Sequence, residues 1–295
     1  MISFGDTPLA NNYLFPQEAE KGEPVAPLSV IQCKTCFSVQ LEHTVDPRVL
    51  FEHYLYVSGT SPIFRKHFDN YAAHVIEKLA LATGRFVIDI GSNDGVLLSS
   101  FKARGYTVLG IEPAKEIAHG AQAAGIETVN AFLSPDLAER IRAERGEAHI
   151  VTANNVFAHV ADARSFALAV RSLLADDGAY VFEVQYLKDL VEKNLFDIIY
   201  HEHIFYHHLA PLVRFFASID MEIFDVERVA THGGSLRVYV RKRGARHSVA
   251  PAVTALCAAE SFLNISETYT AFWNAIQGNK RALAELLAGI AEQGK

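Results

Sequence analysis

Three cysteines in 295 residues are too few, and odd in number, for a disulfide framework, so a reducing compartment such as the cytoplasm is expected. Half the residues are hydrophobic, yet no run approaches the ~18 to 20 uninterrupted apolar residues of a membrane span. Met1-Ile2-Ser3-Phe4-Gly5-Asp6 lacks the basic start and apolar core of a secretory signal. Basic residues are outnumbered, 27 Lys and Arg against 34 Asp and Glu, and no cluster exceeds Arg241-Lys242-Arg243. The net charge of −7 argues against a nucleic-acid partner. What remains is a soluble, cytoplasmic and monomeric chain, long enough for one large α/β domain with appendages.

The organising stretch is Arg85 to Leu98, RFVIDIGSNDGVLL. Phe86 to Ile90 is the apolar, β-branched run of a buried parallel strand; Gly91-Ser92-Asn93-Asp94-Gly95 breaks it, and an amphipathic helix follows. A second apolar run, Thr107 to Ile111, ends on Glu112, 23 residues after Asp89, where an acid can accept hydrogen bonds from a ribose diol. The glycine spacing is not that of a dinucleotide site. Acids before and inside the loop, Asp89 and Asp94, repel phosphate and suit a cationic, amino-bearing nucleoside such as S-adenosylmethionine. Most Gly-xxx-Gly turns merely close a βα unit, so the signal rests on Glu112 as well.

Five prolines between residues 1 and 60 (Pro8, Pro16, Pro24, Pro27, Pro47) make this the least regular part of the chain. Cys33-Lys34-Thr35-Cys36 follows an extended stretch, Leu28 to Gln32, as half a zinc knuckle does. Two thiolates do not close a tetrahedral site; Cys257, a histidine such as His43, or a further segment would have to supply the rest, and two ordinary thiols is the plain alternative. Tyr54 and Tyr56 lie in an aromatic stretch ending at Ser61 and either pack or line a site.

From Pro62 to Ala82 a helix leads into the first strand, and α/β alternation continues to Gln185-Tyr186, with Gly178 read as a turn before a strand from Ala179 to Val184. Asn154, Asn155 and His159 follow the strand Ala148 to Thr152, at the carboxyl edge where ligands bind. Asp197 to Leu209 then places four of thirteen histidines within eight residues, with Tyr200 before them and Glu202 and Tyr206 between them. His203 and His207 would share a helix face as metal ligands, Glu202-His203 would suit proton transfer, and a solvated histidine-rich helix is the plain reading. Glu222 to Val229 and Ser235 to Arg243 read as paired strands, and the pattern after Gly244 is helical, with a last helix over Asn279 to Glu292.

PLANNYL (Pro8 to Leu14), CKTC, Gln40 to Ser61, VIDIGSNDGVLL, GIEPA, TANNVFAHV, FEVQYL and YHEHIFYHHL together resemble the sugar C-methyltransferases, which use S-adenosylmethionine to methylate C3 of nucleotide-linked 4-keto-6-deoxyhexoses. The resemblance implies an α/β fold: a zinc-binding-type segment over 1–61, a class I, Rossmann-like methyltransferase domain over 62–244, and a helical extension over 245–295 that begins a truncated C-terminal domain. It implies a partial zinc site at Cys33 and Cys36, the first cysteine pair and most of the C-terminal domain being absent. It also implies His203 as base, assisted by Glu202, with Tyr200, Tyr54 and His159 around the ketone and enolate of a nucleotide-sugar substrate. Asp89, Gly91, Ser92, Asn93, Asp94, Gly95, Glu112, Pro113, Asn154 and Asn155 would hold S-adenosylmethionine.

Overall fold

The computed structural model describes residues 2–14, 17, 22–51, 57–245 and 248–294. It opens with β1 (Ile2–Pro8), β2 (Val25–Gln32), β3 (Val39–Leu41), α1 (Pro47–Phe51) and α2 (Pro62–Lys78). The alternating core follows as β4 (Phe86–Ile90), α3 (Val96–Lys102), β5 (Thr107–Ile111), α4 (Lys115–Ala123), β6 (Thr128–Val129), α5 (Pro135–Arg145), β7 (Ala148–Thr152), α6 (Ala163–Leu173) and β8 (Leu174–Gln185). Next come α7 (Leu187–Glu192), β9 (Phe205–Tyr206), α8 (Leu209–Ala217), β10 (Met221–Val229), β11 (Ser235–Lys242), α9 (Pro251–Ala259) and α10 (Ser266–Glu292).

The large sheet has the order β10-β11-β8-β7-β4-β5-β6. Its β8-β7-β4-β5-β6 part is parallel, and β10 and β11 add an antiparallel edge. Successive residues of β4 and β7 face opposite ways, so each sheet face has its own core: Ile88, Ile90 and Val151 with α5 and α6 on one side, Val87 and Ile150 with α2 and α3 on the other. Full burial of each such aliphatic contributes about 1.5–3 kcal/mol. Local chemistry fixes the helix starts: Ser134 Oγ accepts from Leu137 N with Pro135 at the first turn of α5, and Asp162 Oδ1 accepts from Ser165 N at the start of α6. One buried ion pair ties the sheet to α2. Arg237 Nε and Nη2 donate to Glu183 Oε1 at 2.9 and 2.7 Å, and His67 of α2 meets Glu183 Oε2 at 2.9 Å.

Four sequence expectations change. The first sixty residues are not merely irregular, since β1, β2 and β3 form an antiparallel sheet that β9 joins, Val39 opposite Tyr206 and Gln40 opposite Phe205. Gly178 lies inside β8 rather than in a turn; a Cβ there would stand 3.0 Å from the Ala148 carbonyl oxygen, so glycine lets β8 run close to β7 where their register shifts. The last helix starts at Ser266, well before Asn279, because Tyr269, Phe272 and Ile276 pack on the small sheet with Leu28, Val30 and Leu41. His203 and His207 share no helix face: His203 stands in a turn and His207 follows β9.

Candidate functional site

A cavity of about 740 Å³ opens beyond the carboxyl ends of β4, β5, β7 and β8. Its floor is the loop after β4. Gly91 has φ +63, and a Cβ there would meet Val156 Cγ2 at 2.4 Å, so the turn requires glycine. Gly91 N and Ser92 N both donate to the Ile111 carbonyl, at 2.7 and 3.2 Å, binding the loop to β5.

Asp89, Gly91, Ser92, Asn93, Glu112 and Pro113 line one half of this cavity. Glu112 is buried; its Oε2 accepts from Asn93 N at 2.9 Å and its Oε1 from Ala114 N at 2.8 Å, while burial pushes its carboxyl above the usual range. Each oxygen keeps a further lone-pair direction for a diol. Asp89 Oδ1 accepts from Thr152 Oγ1 at 2.6 Å, and burial pushes this carboxyl up to about 7. Asn154 lines the cavity with its Oδ1 accepting from Glu183 N at 3.0 Å, and its buried Nδ2 has no partner among the described residues, while Ser92 Oγ is turned toward β5, where a Cβ on Gly110 would meet it at 2.5 Å. Ala131, Phe132 and Leu133, on the loop after β6, add an apolar wall. The sequence reading missed it, although an apolar triplet just before the Ser134-Pro135 helix start was the available signal.

Two residues expected at the cofactor are turned elsewhere. Asp94 Oδ2 accepts from Gly59 N at 2.9 Å, and Asp94 does not line the cavity. Gly95 begins α3 at φ +76 against Ile126 and serves the turn. The acid inside the loop thus ties the approach to α2 onto the loop.

The same cavity is lined by Asn154, Asn155, His159, Tyr200 and His203. His203 Nδ1 donates to the Ile198 carbonyl at 2.7 Å, so Nε2 carries the lone pair, and the Tyr200 hydroxyl donates to it at 3.1 Å. Burial first, then His159 nearby, pushes His203 down to about 3. His159 Nδ1 donates to the Glu202 carbonyl at 2.7 Å, its ring centroid lies 4.9 Å from that of His203, and burial takes it down to about 4. Both imidazoles are neutral at physiological pH.

The Glu202 carboxylate does not pair with His203. Its Oε1 accepts from Asn11 Nδ2 at 2.8 Å and its buried Oε2 has no partner among the described residues, so this side chain points to the segment after β1. His201, His207 and His208 serve packing. His201 Nε2 donates to the Ala26 carbonyl at 3.0 Å, His207 stacks on Phe157 at 5.2 Å, and His208 Nε2 approaches Asn264 Oδ1 at 3.4 Å. Tyr54 lies outside the described residues. Phe64, Gln185 and His232 line the cavity and had not been singled out from sequence.

Three family models match consecutive parts of the chain: a candidate zinc-binding domain over residues 1–51, a methyltransferase domain over 64–225, and a C-methyltransferase C-terminal domain over 230–295. C-methyltransferase NovU of Streptomyces niveus is 35% identical over 297 residues, spanning 100% of this chain and 71% of that protein. The chain belongs to the C-methyltransferase family. It is an S-adenosylmethionine-dependent methyltransferase with the class I fold. Among solved structures, the magnesium protoporphyrin IX methyltransferase of Synechocystis with bound S-adenosylhomocysteine aligns with 17% identity and TM-score 0.48, over 60% of this chain and 83% of that one. The plantazolicin methyltransferase BpumL aligns with 11% identity and TM-score 0.49, over 62% and 85%.

The residues present fit the cofactor of this C-methyltransferase, because the cavity combines the buried acids Asp89 and Glu112, an Asn154 amide nitrogen with no partner among the described residues, and an apolar wall. They fit zinc only halfway. Cys33 and Cys36 flank a tight turn in which Phe37 N donates to the Cys33 carbonyl at 2.9 Å and Cys33 N to the Ser38 carbonyl at 2.8 Å. No group of three or more His, Cys, Asp or Glu able to hold a metal occurs among the described residues. Cys257 lies against the core with its thiol pushed up to about 11 by burial, and His43 is exposed. No helix among the described residues is long and apolar enough to cross a membrane.

Proposed function

We propose that this C-methyltransferase methylates C3 of a nucleotide-linked 4-keto-6-deoxyhexose through an enolate, with His203 as general base. The observation that carries the reading is His203 itself: a buried imidazole with Nδ1 fixed on a carbonyl and the lone pair of Nε2 facing a cavity shared with the cofactor residues. An electrophilic methyl donor needs a nucleophilic carbon, and a carbon beside a ketone becomes one by losing a proton to give the enolate. His203 Nε2 takes the C3 proton, the C–H electron pair becomes the C3–C4 double bond of the enolate, and the carbonyl pair moves onto O4. S-adenosylmethionine supplies the methyl group as an electrophile, the S–CH3 bond breaking toward sulfur as the enolate carbon bonds to it. His203 then carries the proton as an imidazolium, whose basicity rises beside the enolate charge.

Tyr200 is the hydroxyl donor for O4, since it already reaches His203 Nε2 and has only to turn. His159 has its N–H committed to the Glu202 carbonyl, which leaves Nε2 as an acceptor suited to a sugar hydroxyl rather than to an enolate oxygen. No Lys or Arg occurs among the described residues lining the cavity, so an uncharged sugar suits its interior and the nucleotide phosphates lie outside. Product mass and carbon NMR after incubation of a thymidine-diphosphate 4-keto-6-deoxyhexose with ¹³C-methyl-labelled cofactor test the reading. A labelled methyl bonded to C3 supports it; one bonded to C5, the other carbon beside the ketone, corrects the position, and one bonded to oxygen or nitrogen sinks it.

A further inference from the structure

We infer that His232 is an acceptor-binding residue, held in the cavity wall by a strained turn so that its imidazole meets the sugar opposite His203. This assignment rests on the acceptor occupying the His203 end of the cavity, as proposed above. His232 lies in the turn between β10 and β11, on the antiparallel edge of the sheet, whereas β4, β5 and β6, whose following loops carry Gly91 to Asn93, Glu112 and Phe132, form its opposite, parallel side.

Its backbone is left-handed, φ 52 and ψ 35, a conformation that costs a side-chain-bearing residue energy and that glycine adopts freely. Gly233 and Gly234 stand next to it at φ +81 and +142, so this turn uses glycine elsewhere and keeps a histidine at the position facing the cavity. The turn is fixed from beneath. A Cβ on Gly233 would meet Leu195 Cδ1 at 2.7 Å and one on Gly234 would meet Asp189 Oδ2 at 2.2 Å. The Gly234 carbonyl accepts from Tyr186 N at 3.1 Å, and Ser235 Oγ donates to the Thr231 carbonyl at 3.0 Å.

The imidazole is equally placed. Its centroid is 5.4 Å from the ring of Phe64, and its Nε2 is 3.4 Å from Asn155 Nδ2. With the amide donating, the ring proton sits on Nδ1, which becomes a donor for a hydroxyl or carbonyl oxygen of the acceptor. Asn155 is itself left-handed at φ +55, a conformation asparagine tolerates, and lines the same cavity, so two left-handed polar residues meet at one wall. A turn kept only for structure would be served better by glycine.

The test compares wild type, His232→Gly and His232→Asn by thermal unfolding, by calorimetric affinity for S-adenosylhomocysteine, and by calorimetric affinity of the cofactor-product complex for a thymidine-diphosphate 4-keto-6-deoxyhexose. Relief of backbone strain should offset the entropy that glycine adds to the unfolded chain, leaving the unfolding midpoint of His232→Gly at or slightly above that of wild type, while acceptor affinity falls at least tenfold and S-adenosylhomocysteine affinity stays within twofold. His232→Asn, which tolerates the left-handed backbone and keeps an N–H donor, should recover part of the acceptor affinity. Unchanged acceptor affinity in both variants would make the turn structural, and a parallel loss of S-adenosylhomocysteine affinity would move His232 to the cofactor; either overturns the assignment. Wild-type binding of the sugar without methylation refutes the catalytic proposal while leaving the His232 comparison readable, and absence of wild-type binding overturns both.

Discussion

The Tyr200 hydroxyl stands 3.1 Å from His203 Nε2, while the opposite nitrogen of that ring donates to the Ile198 carbonyl at 2.7 Å. The tautomer is thereby set, and the lone pair faces the cavity. In deuterated water, without methyl donor, the proposed mechanism expects the C3 proton of the 4-ketosugar nucleotide to exchange. His203→Asn should lower both exchange and methylation by roughly 10²–10⁴-fold with S-adenosylhomocysteine affinity intact, the usual weight of a general base. Tyr200→Phe should cost about 10²-fold, and His201→Asn should loosen β2 through Ala26 with little effect on chemistry. Near-normal turnover of His203→Asn, with Tyr200→Phe inactive, would reassign the base. Because burial takes His203 down to about 3, the free enzyme holds the base form at every pH above about 4, and kcat/KM for the acceptor at saturating cofactor should show no histidine limb near pH 6.5.

Asp89 behaves in the opposite sense. Burial raises its carboxyl from 3.8 to about 7, so the folded protein holds a proton that the unfolded chain releases between those values. Stability contributed by this group therefore falls as pH rises from about 4 to 7. A cationic ligand in the same cavity favours the anion. Affinity for S-adenosylmethionine should rise roughly tenfold per unit between pH 5 and 7 with release of a proton, whereas neutral S-adenosylhomocysteine should show a shallower slope. Calorimetry in two buffers of different ionisation enthalpy measures that proton. Asp89→Asn should flatten the profile and raise the melting temperature at pH 8; an unchanged slope removes Asp89 from the linkage.

The strand-glycine-helix core was legible because its signals are local: the apolar run of β4, Gly91 at positive φ, and Glu112 at the end of β5 each announce themselves within a few residues. What escaped depends on distant partners. Nothing near Asp94 says that its carboxylate will close on Gly59, 35 residues earlier, rather than on a ligand. Nothing in Phe205-Tyr206 says that these two residues will extend a sheet begun at β1, and that pairing turns three histidines into packing residues and leaves His203 at the cavity. β1 itself was hidden by the bulge between Ser3 and Asp6, which interrupts the alternation a strand is recognised by. Glu202 and His203 are adjacent in sequence, but they lie in the turn closed by His203 N on the Tyr200 carbonyl, and the Glu202 carboxylate is held by Asn11, almost two hundred residues away.

Glu112 has two duties that one substitution removes together. Its carboxylate holds Asn93 N and Ala114 N, and it faces the cavity where the ribose is expected. Glu112→Ala should weaken S-adenosylhomocysteine binding by on the order of 1 to 3 kcal/mol and lower unfolding stability by a similar amount, since each lost acceptor strands a buried N–H. Glu112→Gln keeps one oxygen acceptor and should recover most of the stability but less of the affinity. Calorimetric titration and urea unfolding of the same preparations separate the two effects. Full affinity in Glu112→Ala would remove the ribose role.

Zinc should be held poorly by Cys33 and Cys36 as they stand. The turn that holds them, closed by Phe37 at φ +65, carries two thiols, which supply half of a tetrahedral shell. The remaining candidates named from the sequence are elsewhere engaged: Cys257 is protonated against the core, and His43 is exposed without joining a group of three potential ligands among the described residues. Elemental analysis of the purified 295-residue chain should therefore find well under one zinc per molecule. Chelator treatment should leave its melting temperature within about a degree, because β1, β2 and β3 already bury Ile2, Leu28, Val30, Val39 and Leu41 against α10 without a metal. Stoichiometric zinc that disappears in Cys33→Ser, together with a chelator-sensitive melting temperature, would show that the shell is completed by donors outside this pair and that the small sheet depends on them.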